Sequence, residues 1–381
     1  MRILFFNYEY PPLGGGAGNA SAYLLGEYAK REDLEVDFVT SSIDGEYHLE
    51  KLGERIRVHR LPIGKNKDNL HFQSQKDLLR YSYRALKFAW RLAKKNKYDV
   101  GHAFFGVPCG FLAMLIKWRF GIPYIVSLRG ADVPGYSERF PLWYVLLGPV
   151  VKLVWKNAKH VVANSQGLKE LALKTLARQE IAVIPNGIAT EEFFPGSRTG
   201  TEDTFEIICV SRITPRKGIR FLVMAMEGLV EKYPHMRLTV IGEGNEKKSL
   251  ENLVRSLHLE RHVRFLGLIS HARLPQYYRE ADVFVLPSLN EGMSNTVLEA
   301  LASGLPIVAT RTGGTEELVS DGVNGFVVEM RSSEDIAKSL EDLAQHPVKR
   351  LQMAAMSRQI AKRMSWESVA AKYEKAYRFF A

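Results

Sequence analysis

The chain has 381 residues, enough for two or three domains of about 100–200 residues each. Its 46% hydrophobic and 25% charged residues are globular proportions and exclude a disordered or fibrous chain. Two cysteines, Cys109 and Cys209, are too few and too far apart for a disulfide framework or a cysteine zinc site, which fits a reducing compartment.

Met1 to Phe6 reads as a first strand running into Pro11, Pro12 and a glycine loop, without the apolar stretch or cleavage site of a signal peptide. The formal net charge of +10 is uneven: residues 1–190 hold 27 Lys/Arg against 17 Asp/Glu, and residues 191–381 hold 25 of each. Much of the excess lies in a helical pattern over 76–97, where Lys76, Arg80, Arg84, Lys87, Arg91 and Lys94 recur at intervals of three or four. Leu79, Tyr83, Leu86, Trp90 and Ala93 form an apolar stripe on the same helix, expected to face the core. The basic face reads either as solvated or as a match for an anionic membrane surface or an acidic acceptor. Nucleic acid is not an expected partner, since no reading motif is present and the aromatics sit on the apolar stripe.

The most apolar run, Phe140 to Trp155, is interrupted by Pro141, Gly148, Pro149 and Lys152 and is shorter than the ~20 residues of a membrane span. A cytoplasmic location is expected, with peripheral attachment to the inner face of the membrane as the sharper reading.

Short β-branched and aromatic runs alternate with helical patterns along the whole chain. They are Ile3–Phe6, Val36–Thr40, Ile56–Arg60, Val100–Ala103, Tyr124–Ser127, His160–Ala163 and Ile181–Ile184, then Phe205–Val210, Arg237–Ile241, Val263–Leu266, Val283–Leu286, Ile307–Ala309 and Phe326–Val328. This is the pattern of βαβ units and mostly parallel sheets. Thirteen strands are many for one open sheet. The polar stretch Pro195 to Asp203, rich in Gly, Ser and Thr, has linker composition, and the charge balance changes there. The expected architecture is therefore two Rossmann-like α/β domains facing each other across a cleft, with residues 191–199 as the linker.

The densest chemistry is in the second half. Glu291-Gly292-Met293-Ser294-Asn295 follows a strand and opens a helix, so the amides of Gly292, Met293, Ser294 and Asn295 are expected at the positive end of its dipole, a place for phosphate or sugar hydroxyls. Glu299 lies eight residues after Glu291, about 12 Å further along the axis and on the same face. Taken alone, the pair also fits a helix-stabilising Glu and a solvated one. Ser211-Arg212-Ile213-Thr214-Pro215-Arg216-Lys217-Gly218 sits at the C-terminal end of the domain's first strand, the edge where open α/β sheets bind ligands. Arg212 and Lys217 there would bring two cations to a diphosphate. Gly242-Glu243-Gly244 ends the next strand and would let a nucleotide approach closely.

Together with Pro287-Ser288, Gly304-Leu305-Pro306-Ile307-Val308-Ala309-Thr310 and Gly313-Gly314…Glu317, these motifs resemble the retaining glycosyltransferases of family 4, which have the GT-B fold. The resemblance extends forward through Gly14-Gly15-Gly16, Asp99-Val100-Gly101-His102, Gly130-Ala131-Asp132, Asn164-Ser165 and Pro185-Asn186-Gly187-Ile188. It implies that Arg212 and Lys217 neutralise the donor diphosphate, that Glu299 holds the ribose, and that Glu291 faces the transferred sugar. The amides of Gly292, Met293 and Ser294 would bind hydroxyls or phosphate. It places Gly15 and Gly16 near the diphosphate and acceptor, and the nucleobase on the backbone at Leu268 or Ile269. It also implies that the final helix returns to the N-terminal domain, giving domains of 1–190 with 365–381 and of 200–364.

His102 is the candidate cleft histidine, and Arg129, Asp132 and Asn186 are candidate sugar or acceptor contacts. Many relatives carry His where Arg129 stands and Asp where Ala189 stands, so roles tied to those side chains do not transfer. The family implies a nucleoside diphosphate-sugar donor, with uridine the commonest base, and a glycan or lipid-linked hydroxyl as acceptor. No cofactor or metal is expected, because Arg212 and Lys217 take the cation role. A sugar-nucleotide epimerase of the same fold is the alternative. An NAD-dependent oxidoreductase fits less well, since Gly14-Gly15-Gly16-Ala17-Gly18 lacks the Gly-x-Gly-x-x-Gly spacing.

Overall fold

The structure is a computed structural model that describes residues 1–64, 70, 73–136, 141–196 and 204–378, with 141–146 described as backbone only. The chain divides into two compact units, Met1–Gly187 with Trp366–Ala381, and Ile188–Ser365.

The first unit is built on eight strands: β1 (Arg2–Phe6), β2 (Glu35–Ser41), β3 (His48–Leu52), β4 (Ile56–Leu61), β5 (Val100–Phe104), β6 (Tyr124–Leu128), β7 (His160–Ala163) and β8 (Ile181–Val183). Their order is β3-β4-β2-β1-β5-β6-β7-β8. Seven of them are parallel, and their central members are apolar on both faces because helices cover both, as Ile3, Leu4, Phe5 and Phe6 show by complete burial. The strand missed by the sequence reading, β3, is the antiparallel edge. Its sequence His48-Leu49-Glu50-Lys51-Leu52 is largely solvent-facing, and charged edges of this kind carry no apolar alternation to read.

The basic helix spans Gln75–Lys95 and opens with a reciprocal cap between Ser74 and Asp77. Its buried face is not the expected stripe. Tyr81, Ala85 and Ala89 are buried, whereas Leu79, Tyr83 and Trp90 are exposed. The apolar run before residue 155 forms the helix Pro141–Asn157. Among the described residues no helix is long and apolar enough to cross a membrane. The final helix, Trp366–Arg378, belongs to the first unit, where Trp366 stacks on Tyr23 at 5.5 Å and the Tyr377 hydroxyl meets that of Tyr28 at 2.8 Å.

The second unit holds β9 (Phe205–Val210), β10 (Met236–Ile241), β11 (Val263–Gly267), β12 (Val283–Leu286), β13 (Ile307–Thr310) and β14 (Gly325–Val328), all parallel. The order β11-β10-β9-β12-β13-β14 reverses direction between β9 and β12. One correction concerns the linker. Its described part, 191–196, packs on the second unit: Phe193 is fully buried against Tyr278, and Arg358 Nη1 donates to the Phe193 carbonyl at 2.8 Å. The remainder, 197–199, lies outside the described residues.

Candidate functional site

In an open α/β sheet the strand-end loops on either side of the reversal diverge and leave a crevice. Here those loops follow β9 and β12, and they carry Arg212 to Gly218 and Pro287 to Ser294. A single 3₁₀ turn, Pro215–Lys217, ends at Gly218, whose φ of +61° favours glycine. A Cβ at Gly218 would collide with the carbonyl oxygen of Pro287, so the two loops interlock there. They are also joined by Leu289 N donating to Arg216 O at 2.8 Å.

This interlock puts the Lys217 ammonium in hydrogen-bonding contact with Glu291 Oε2, and the Ser288 hydroxyl donates to the same oxygen at 3.3 Å. Both charged side chains are largely out of water, where each is tolerable only because the other is present. Arg212, by contrast, is exposed at the sheet edge.

Glu299 is buried on the helix Asn295–Ala302. Tyr278 donates to its Oε2 at 2.8 Å, and His271 Nε2 lies 3.1 Å from Oε1. The hydrogen bond to Glu299 raises the pKa of His271 above its ordinary value, outweighing the burial that would lower it. The sequence reading missed both partners, because an isolated His and Tyr far from the Glu carry no motif. Ser294 caps the helix by accepting from Val297 N at 3.4 Å. Gly292 and Met293 therefore stand before the cap, and only the Asn295 amide of the four expected belongs to the first helical turn. The Met293 side chain joins the core.

Gly242 has a packing reason to be glycine. A Cβ there would strike the carbonyl oxygen of Ser211, so the loops after β9 and β10 touch through backbone. Leu268 is exposed beyond the end of β11, and Ile269 is half-buried against the core.

In the first unit Gly15 caps the helix Gly16–Ala29 without a side-chain bond, and its amide donates to Glu9 Oε2 at 3.3 Å. His102 must be corrected. It is fully buried, with Nε2 at 2.8 Å from Ser127 Oγ and Nδ1 at 2.7 Å from the Tyr377 hydroxyl, and its ring stacks on Phe5. Burial, helped by the Arg129 charge, pushes its pKa well down, so it stays neutral. It is a core residue with both ring nitrogens engaged. Arg129 lies over the Phe104 ring at 3.4 Å and donates to Asn186 Oδ1 at 2.7 Å and to the Tyr373 hydroxyl at 3.3 Å. Asp132 accepts the amides of Arg129, Gly130 and Gly106 at 2.9, 3.1 and 2.7 Å. Arg129, Asp132 and Asn186 therefore tie loops and the final helix together.

Among the described residues no cluster of three or more His, Cys, Asp or Glu side chains is placed to hold a metal ion.

Residues 191–361 match the family model described as Glycosyl transferases group 1, and residues 15–187 match that of the Glycosyl transferase 4-like domain. A full-length relative, an uncharacterised glycosyltransferase of Methanocaldococcus jannaschii, is 24% identical over 99% of this chain and 98% of its own. The fold is that of sucrose-phosphate synthase from Thermosynechococcus elongatus, with a TM-score of 0.83 at 22% identity over 100% of this chain and 98% of that one. It is also that of the Anabaena protein HepE in complex with UDP-glucose, with a TM-score of 0.75 at 21% identity over all of both chains.

Proposed function

The chain belongs to the group 1 glycosyltransferases of the GT-B fold, and we propose that it moves a sugar, with retention, from a uridine diphosphate donor to a hydroxyl of a glycan or lipid-linked acceptor. The observation that carries this is the convergence of Lys217, Glu291 and Ser288 at the point where the strand order reverses. The uridine assignment is supported by the UDP-glucose bound to the Anabaena protein of the same fold.

Breaking a glycosyl–phosphate bond develops negative charge on the departing diphosphate, and preorganised cations stabilise it most where water is excluded. Arg212 and Lys217 take that role without a metal ion. Glu299, fixed by Tyr278 and His271, presents its carboxylate to the ribose hydroxyls. Leu268 and Ile269 offer backbone to the base, and the Asn295 amide at the helix start adds a donor for phosphate or sugar. Glu291 faces the transferred sugar. The leaving diphosphate accepts the proton of the incoming hydroxyl as that hydroxyl forms the new bond on the same face, so retention needs no protein nucleophile.

The test is a thermal-shift panel of UDP, GDP, ADP and NAD against the wild type, Glu299→Ala and Arg212→Ala. A ligand at 100 times its dissociation constant adds about 2.7 kcal/mol of stability. A shift with UDP that both folded variants lose supports the reading. A shift with NAD alone, or with none of the four, overturns it.

A further inference from the structure

Leu79 and Tyr83, on the helix Gln75–Lys95, are 71% and 70% exposed. At 3.6 residues per turn they line up with Leu86 and Trp90 in one apolar strip. Lys76, Arg80, Arg84, Lys87, Arg91 and Lys94 form the adjoining strip, and all six are exposed. The helix already has its own buried face in Tyr81, Ala85 and Ala89, with the Tyr81 hydroxyl donating to Val39 O of β2 at 2.9 Å, so the apolar strip is a second one, turned to solvent.

The strip continues onto two neighbours. The helices Gln75–Lys95 and Phe111–Phe120 pack together, as do Phe111–Phe120 and Pro141–Asn157. Trp90 meets Phe120 edge-on at 5.2 Å, and Lys117 Nζ donates to Asn157 O at 2.7 Å. Trp118 is 56% exposed, and Leu153 is exposed between Lys152 and Lys156. The three helices carry eleven Lys and Arg against one acid, Asp77, which is engaged in the cap of its own helix. Their net charge equals that of the whole chain.

We infer that this three-helix face docks on an anionic lipid bilayer, with Leu79, Tyr83, Trp90 and Trp118 entering the headgroup boundary and the lysines and arginines resting on the lipid phosphates. Charge complementarity selects the occupant. A cationic strip alone would suit any polyanion, but a parallel strip of Leu, Tyr and Trp has no use on a hydrated polymer. At an interface those side chains are amphipathic anchors. Each cation near such a surface strengthens binding, and the attraction falls off within a Debye length.

The experiment is co-sedimentation of the full chain with vesicles of phosphatidylcholine, alone or with about a third phosphatidylglycerol. The expected result is binding to the mixed vesicles only, weakened by salt, with a blue shift of tryptophan emission. Lys87→Glu with Arg91→Glu should lose at least about ten-fold in affinity. Leu79→Ser with Tyr83→Ser should lose the binding that survives high salt. All four positions are exposed, and a UDP thermal shift or a far-ultraviolet spectrum matching the wild type establishes that each variant is folded. Wild type that stays in solution at low salt overturns the inference, as does a charge-reversed variant that binds equally well. Tighter retention by DNA or an anionic polysaccharide, indifferent to Leu79 and Tyr83, reassigns the face to a soluble polyanion.

Discussion

Lys217 donates to Glu291 Oε2 across 74 residues of sequence, from the loop after β9 to the loop after β12. Each of the two is mostly buried, so the pair is both a structural tie and part of the proposed donor site. Removing one partner leaves an uncompensated charge, and removing both does not.

Lys217→Met should therefore cost about 3 kcal/mol of stability, and Lys217→Met with Glu291→Gln should recover most of it. Neither variant should transfer sugar. Chemical denaturation and a transfer assay on the same three proteins check this. A double variant as unstable as the single one, or an active one, contradicts the paired role.

His271 and Glu299 make stability depend on pH. The folded pKa of His271 is raised, so its contribution is fully present below its unfolded value of about 6.5 and is lost as pH rises through the higher folded value. His271→Ala should lower the melting temperature more at pH 6 than at pH 9, at a cost of about 1–2 kcal/mol at the lower pH. UDP affinity of His271→Ala, followed by calorimetry, should fall too, because Glu299 loses one of the bonds that orient it. An equal melting shift at both pH values would count against the ion pair.

Asp37 works in the opposite direction. Its burial opposes ionisation, yet hydrogen bonds from His59, Arg57 and Tyr98 outweigh it and hold the carboxyl far below the usual carboxylate range. Arg2 Nη2 also donates to it at 3.1 Å. A depressed folded pKa gives stability that is present above the unfolded value of about 3.9 and lost as pH falls below it. Asp37→Asn should cost about 3–5 kcal/mol at pH 7 and flatten the acid limb of the stability curve. Denaturant midpoints from pH 7 down to pH 3 measure both effects.

His102→Gln separates the core role from a catalytic one. It should lower stability by about 2 kcal/mol through loss of the Ser127–His102–Tyr377 chain and of stacking on Phe5, while kcat stays within a few-fold of the wild type. A folded variant with kcat reduced a hundred-fold or more would return His102 to the active site.

The sequence by itself determined the alternation of strands and helices, the division into two parallel-sheet units and the loops that carry Arg212, Lys217, Glu291 and Glu299. These are local features: strand runs with two apolar faces, glycines where backbones meet, and charges at fixed distances from strand ends. Tertiary structure alone decided which side chains face one another. Lys217 meets Glu291 because β9 and β12 are neighbours although far apart in sequence, and Glu299 meets His271 and Tyr278 because the helix Leu274–Glu280 packs on the helix Asn295–Ala302. The same holds for His102, whose ring is closed in by Tyr377 from the far end of the chain. The helix Gln75–Lys95 makes the point most plainly. It carries two apolar stripes, Tyr81-Ala85-Ala89 and Leu79-Tyr83-Trp90, and periodicity fits both. Only packing in the folded unit chose the first, and that choice left Leu79, Tyr83 and Trp90 facing water.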